Sequence, residues 1–252
     1  MHYKIIGDIH GRSCWRDFIN GFDNVTYVFV GDYTDPYDDE HITFKQMMTE
    51  LKEIVKLKKN HPENVVLLIG NHDYQYINRM CETARYDHKN FKKLYEFFGK
   101  NSYLFDVAFN IGEKYFLTHA GLSSKFYKQW FDKNYDYETT PLSVLTYEIN
   151  ELFKSNKDVF CFDFNCCFSF DHYGFSPTHS PIWIRPEGLT ESNIFNEYNK
   201  TVNYEKRIVQ IFGHTFPYKS PDEINIYFKA SSPLICIDVM SKYKWCLEFD
   251  YE

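Results

Sequence analysis

The first short apolar run of the chain, Tyr3 to Ile6, ends in Gly7-Asp8-Ile9-His10-Gly11. A strand that delivers a carboxylate and an imidazole into a glycine-flanked turn can point both side chains at one small object. Carboxylate oxygen suits hard divalent cations and imidazole suits transition metals, so the mixed pair favours manganese, iron, zinc or nickel over calcium. The arrangement then repeats. Val25 to Val30 is a β-branched and aromatic run of strand length that ends in Gly31-Asp32-Tyr33-Thr34-Asp35, and Val65 to Ile69 ends in Gly70-Asn71-His72-Asp73. Between these two runs Phe44, Met47, Met48, Leu51, Ile54, Val55 and Leu57 recur at spacings of three and four, which predicts an amphipathic helix over Ile42 to Lys59. Strands alternating with helices make an α/β chain whose sheet has parallel neighbours and helices on its faces. In such sheets ligands collect beyond the carboxyl ends of the strands, where all three polar turns fall.

Further along, Glu82 to Lys100 reads as a helix and Tyr103 to Phe109 as a strand. Lys114 to Leu117 is a strand ending in Thr118-His119-Ala120-Gly121, and Ser143 to Phe153 is a helix. Asp158 to Thr178, rich in phenylalanine, has no single period and reads as an irregular insertion or cap around 158–180. Pro181 to Pro186 is expected to be a short strand presenting Arg185, and Glu191 to Lys200 a helix. Arg207 to Phe212 is a strand ending in Gly213-His214-Thr215, and Ile224 to Lys229, Leu234 to Asp238 and Trp245 to Phe249 are expected to be antiparallel strands finishing the sheet. No repeat, low-complexity tract or linker divides the chain, so residues 1–252 are expected to form one domain.

With 252 residues, 44% hydrophobic and 25% charged, the chain is long enough for a substantial core. A net charge of −7 argues against a general grip on nucleic acid, which needs a basic face. Seven cysteines form no C-x-x-C pair, and there is neither a charged-then-apolar leader nor an apolar run of membrane-spanning length. The expectation is a cytoplasmic, reduced protein without a membrane partner.

Taken one at a time the turns are weak motifs. In this order, GDIHG, GDYTD, GNHD, THAG and GHT are specific, and from Gly7 to about Asp238 the sequence resembles the calcineurin-like metallophosphoesterases. Within them it resembles the branch of serine/threonine protein phosphatases and bacterial diadenosine-tetraphosphate hydrolases, because a single His follows Gly213. The resemblance implies a β-sandwich of mixed sheets flanked by helices and two divalent metal ions, manganese first, with iron, zinc or nickel as alternatives. Asp8, His10 and Asp32 resemble the ligands of the first ion. Asp32 would bridge to the second, whose other ligands resemble Asn71, His119 and His214. His72 corresponds to the family's general acid and Asp35 to the carboxylate that keeps its imidazole protonated and oriented. The implied reaction is phosphate monoester hydrolysis by a metal-bridging hydroxide, in which two ions about 3.5 to 4 Å apart activate water and neutralise the phosphoryl oxygens.

Three positions depart from the pattern. The second turn of the phosphatases usually continues Asp-Arg-Gly, with the Arg gripping the substrate phosphate, but Pro36 stands where that Arg would be. Arg185, in a Trp-x-Arg segment similar to one in bacterial members, is the first candidate for the phosphate contact together with Asn71; Arg12 and Arg79 follow. Asp73 replaces the commoner Glu, and Phe216 a frequent Pro. The substrate is expected to be a phosphoprotein. Its rival is a nucleotide or dinucleoside polyphosphate. A metal- and phosphate-binding protein that has lost turnover is the alternative outside the enzymes.

Overall fold

The structure, a computed structural model, describes residues 1–78, 82–161, 174–216 and 233–252. Arg79, the expected strand at Ile224 to Lys229 and the middle of the 158–180 insertion lie outside them. The chain divides into two compact units, Met1–Asp106 with Val239–Glu252, and Val107–Asp238.

The first unit holds β1 (His2–Ile6), β2 (Val25–Phe29), α1 (Phe44–Asn60), β3 (Val65–Leu67), α2 (Asn71–Tyr74) and α3 (Phe91–Asn101). The second contributes β4 (Ala108–Ile111), β5 (Tyr115–Thr118), α4 (Ser124–Phe131), α5 (Leu142–Ser155), α6 (Pro186–Ser192), α7 (Asn196–Thr201), β6 (Val209–Phe212) and β7 (Leu234–Cys236). The chain returns to the first unit for β8 (Leu247–Asp250).

The first sheet has the order β3-β2-β1-β8. Its three leading strands are parallel, and β8 runs antiparallel to β1 with Ile5 opposite Leu247. All five residues of β2 are buried, as a parallel strand covered on both faces requires. α1 starts at a capping box in which Thr43 Oγ1 accepts from the Gln46 N–H and Gln46 Oε1 accepts from the Thr43 N–H at 2.8 Å. It buries Met47, Met48, Leu51, Ile54 and Val55, the stripe read from the sequence, and Glu50 with them. Glu50 is tolerated there because Trp15 Nε1 and Arg16 Nε donate to its carboxylate at 3.0 and 2.9 Å.

The second sheet has the order β4-β5-β6-β7. β4 and β5 are antiparallel, while β5–β6 and β6–β7 are parallel. Ala120, Ile184, Leu189, Phe212, Leu234 and Cys236 form one buried apolar cluster in this unit. Two mixed sheets with their helices are the α/β content expected.

Several boundaries differ from expectation. The helix expected from Glu82 begins only at Phe91, because Asp87 takes the Asn90 N–H and side-chain amide at 3.0 and 2.8 Å and Arg85 adopts a left-handed φ of 61°. Tyr103 lies in a 3-10 turn and not in a strand. Pro181 to Arg185 is also a turn, closed by bonds from the Trp183 and Ile184 N–H groups to the Ser180 carbonyl, and Arg185 caps α6 with Pro186 at its first position. The expected helix at Glu191 to Lys200 is broken at Asn193, whose side chain accepts from the Phe195 N–H. β7 is parallel to β6, not antiparallel.

Cys161 is disulfide-bonded, against the expectation of an all-thiol chain. Cys14, Cys236 and Cys246 are thiols outside any disulfide. Burial, reinforced by Glu248 and opposed by Lys4, pushes the Cys246 thiol up to about 12. The folded chain therefore keeps a proton there that an unfolded chain releases at lower pH, and only the thiolate is nucleophilic. Iodoacetamide at pH 8 is expected to leave Cys246 unmodified in the native protein and to label it fully in urea, as read by peptide mass spectrometry. Equal labelling in both states would contradict the burial assigned to this thiol.

Candidate metal centre

In the first unit the turns after β1, β2 and β3 are laced together by their own backbones. The Ile9 and His10 N–H groups donate to the Asp32 carbonyl at 3.0 and 2.6 Å, and the Gly11 N–H donates to the Tyr33 carbonyl at 3.1 Å. The third turn joins through side chains: Asp32 Oδ1 accepts from the His72 N–H at 2.9 Å. Asp73 is fully buried and accepts from the Tyr33 N–H, the Thr34 N–H and the Thr34 hydroxyl at 2.9, 3.1 and 3.0 Å, and from the Gly70 N–H at 3.2 Å. The short carboxylate that replaces the commoner Glu therefore acts as the clasp between the second and third turns. Removing it leaves three buried N–H donors unmatched, each costing about 1 to 3 kcal/mol, while the Thr34 hydroxyl can still donate to the His72 carbonyl at 3.0 Å. Asp73→Ala is accordingly expected to lose at least about 2 kcal/mol of stability by urea titration, and an unchanged midpoint would show that the turns hold without it.

Gly70 has a specific steric reason to be glycine. A Cβ there would lie 2.1 Å from Asp32 Oδ1 and 2.3 Å from the Asp32 nitrogen. The missing side chain is what lets the Asp32 carboxylate lie against the third turn.

Asp8, His10, Asp32 and Asn71 are all buried, and a carboxylate oxygen of Asp8 lies within 4.8 Å of one from Asp32. Burying carboxylates so close together is costly unless a cation compensates them. His10 Nδ1 donates to the Thr34 carbonyl at 2.8 Å, which leaves Nε2, 3.6 Å from Asp32 Oδ2, as the nitrogen free to ligate. Burial holds the His10 imidazole well below its usual pKa, with Asp32 opposing and His72, Arg85 and Arg12 adding to the effect. Neutral imidazole is the metal-binding form. The donor chemistry thus fits a divalent ion. His10, Asp32 and Asp35 in this unit, and His214 in the other, are also among the eight non-glycine residues with a left-handed φ among the described residues. Each such residue costs of order 1 to 3 kcal/mol, and strain of this kind gathers at functional sites.

His72 Nδ1 donates to Asp35 Oδ2 at 3.1 Å. Asp35 is fixed in turn by Tyr76, whose hydroxyl donates to Oδ1 at 2.5 Å, and by the side-chain amide of Gln75. Burial raises the Asp35 carboxyl, while its bonds to His72 and Tyr76 pull it back. Gln75 and Tyr76 lie three and four residues past His72, one helical turn on, but nothing in their residue types marked them in the sequence.

In the second unit the histidine turns are also joined. The Gly213 N–H donates to the His119 carbonyl at 2.8 Å, and the His119 and His214 rings meet edge to face with centroids 5.2 Å apart. Thr118 Oγ1 accepts from the Gly121 N–H at 2.7 Å, and Cys236 Sγ donates to the Thr215 carbonyl at 2.8 Å. His119 is fully buried and His214 half-buried. Arg185, also half-buried, donates from Nη1 to the Thr215 hydroxyl at 3.2 Å, one residue past His214. Arg12, in contrast, is committed inside the first unit, to Glu40 at 2.6 Å and to the Asp8 carbonyl at 3.0 Å.

The family model of the calcineurin-like phosphoesterases matches residues 1–218. The chain belongs to that family. As a calcineurin-like phosphoesterase it falls in a class of metal-dependent phosphoester hydrolases, and a buried Asp and His donor set is in keeping with that class. Among solved structures it is similar to a cold-active protein-tyrosine phosphatase of a psychrophilic Shewanella species, with 15% identity, 94% of this chain and 70% of that chain covered and a TM-score of 0.54. That likeness is one of fold. It also aligns with a serine/threonine protein phosphatase of Saccharomyces cerevisiae similar to human phosphatase PP5, with 23% identity and a TM-score of 0.38. The alignment covers 49% of this chain and only 39% of the yeast one. Among the described residues no helix is long and apolar enough to cross a membrane.

Proposed function

We propose that this calcineurin-like phosphoesterase is a cytoplasmic two-metal phosphatase that hydrolyses phosphate monoesters, acting on phosphoserine or phosphothreonine in proteins. The observation that carries the reading is the His72–Asp35 pair at 3.1 Å, held by Gln75 and Tyr76 beside the buried donors Asp8, His10 and Asp32. Asp8, His10, Asp32, Asn71, His119 and His214 would hold two divalent ions, manganese first, in a single metallophosphoesterase domain. Bound there, the ions would activate water and neutralise charge on the phosphoryl oxygens. His72, oriented by Asp35, hands its proton to the leaving oxygen as the ester bond breaks. Asn71 and Arg185 contact the phosphate.

The reading is tested by a panel run on the manganese-loaded protein. It comprises phosphoserine, phosphothreonine and phosphotyrosine peptides, nucleotides, dinucleoside polyphosphates and nitrophenyl phosphate. Turnover of phosphoserine or phosphothreonine peptides supports it. Preference for phosphotyrosine would shift the substrate toward the one the Shewanella protein-tyrosine phosphatase is named for, and turnover of dinucleoside polyphosphates alone would replace it with nucleotide hydrolysis. Metal binding without any turnover would leave a phosphate-binding protein.

A further inference from the structure

Arg85 lies in the irregular stretch before α3, where its sequence context gives it no distinction. Its guanidinium nevertheless reaches the catalytic pair. Nη2 lies 2.9 Å from His72 Nε2 and 3.5 Å from His10 Nε2, and the guanidinium carbon sits 3.6 Å from the centroid of the Tyr37 ring. Tyr37 immediately follows Pro36, so an arginine missing from the second turn is matched by one arriving over that turn from elsewhere in the chain. No carboxylate among the described residues pairs with Arg85, and its Nε is buried with no hydrogen-bond partner.

The segment that carries Arg85 is tied to the residues that hold Asp35. The Thr83 N–H and hydroxyl donate to Gln75 Oε1 at 3.0 and 2.9 Å, the Asp87 N–H donates to the Tyr76 hydroxyl at 2.8 Å, and Tyr86 stacks on Tyr76 with centroids 5.1 Å apart. Anchored on both flanks, Arg85 takes a left-handed φ of 61° that aims its side chain inward. A planar guanidinium, stacked on a ring, with an unmatched N–H and no acidic partner among the described residues, is suited to bidentate recognition of phosphate.

We propose that Arg85 binds the phosphoryl oxygens of the substrate and that, before substrate arrives, it caps Nε2 of His72. The proposal rests on the phosphoesterase reading above. Phosphate binding exchanges one contact for the other: the guanidinium moves to the anion from the imidazole, whose unprotonated Nε2 accepted its N–H, and the uncovered Nε2 takes a proton from water before it faces the leaving oxygen. Tyr37 keeps the fork in plane during the exchange.

The test is calorimetric binding of inorganic phosphate to the metal-loaded protein, with KM and kcat for nitrophenyl phosphate measured in parallel. Arg85→Ala is expected to weaken phosphate binding about 10- to 100-fold, the worth of charge-assisted hydrogen bonds, and to raise KM with it while metal content is unchanged. Free guanidinium ion added to Arg85→Ala is expected to restore part of the affinity. Arg85→Lys serves if the alanine variant does not fold; keeping the charge but not the fork, it should bind several-fold more weakly than wild type. Wild-type phosphate affinity and KM in either variant would overturn the proposal, and so would a loss confined to Arg185→Ala. Because calorimetry does not depend on turnover, a wild-type protein that binds phosphate but hydrolyses nothing would count against the phosphoesterase reading alone.

Discussion

Asp32→Ala is expected to cost the protein at least one of the two metal equivalents proposed for it and all measurable phosphoester hydrolysis. Asp32 is buried, sits at a left-handed φ of 51°, accepts the His72 N–H through one oxygen and faces His10 Nε2 at 3.6 Å with the other. Its backbone carbonyl also receives both N–H bonds from the first turn. Gly70→Ala makes the companion case, because it removes no ligand atom but puts a carbon 2.1 Å from Asp32 Oδ1. It should weaken metal binding about 10- to 100-fold, the usual cost of disturbing an outer-shell partner. Elemental analysis and metal titration of both variants check this, and full metal content in Asp32→Ala would remove Asp32 from the ligand set.

His72→Asn is expected to keep both metals and to lower turnover by about 10² to 10⁴ on substrates with poor leaving groups, the range for general acid catalysis. The loss should shrink on nitrophenyl phosphate, whose leaving group scarcely needs a proton. The comparison isolates proton donation because the backbone N–H of residue 72, which binds Asp32, survives the substitution. A loss of equal size on both substrates would assign His72 to binding instead.

The strand exits and their polar residues were legible in the sequence because three physical signals coincide there: a short β-branched run, a glycine where the chain must turn, and a metal-type side chain. α1 was legible from its periodicity, though its capping threonine was not read. What could not be read was how the turns are fastened. Asp73 looks like any residue after a histidine, yet four donors converge on it. Gly70 looks like a turn residue, but its φ is ordinary, and its role is to admit a carboxylate 38 residues earlier in the chain. Arg85 was invisible because tertiary contacts with Gln75, Tyr76 and Tyr37 override the local helical pattern around it. The segment at Pro181 to Arg185 misled for a related reason, since its apolar residues are buried by a turn packed in the second unit's core, a setting that mimics a strand in composition.

The central claim is that this chain holds a pair of metal ions at its strand exits. The direct measurement is elemental analysis of the protein after manganese loading and exhaustive desalting, repeated for Asp32→Ala and His119→Ala. The account requires about two equivalents per chain in the wild type and a deficit in each variant. Wild-type protein that retains no stoichiometric metal, or variants that retain the full complement, would contradict it.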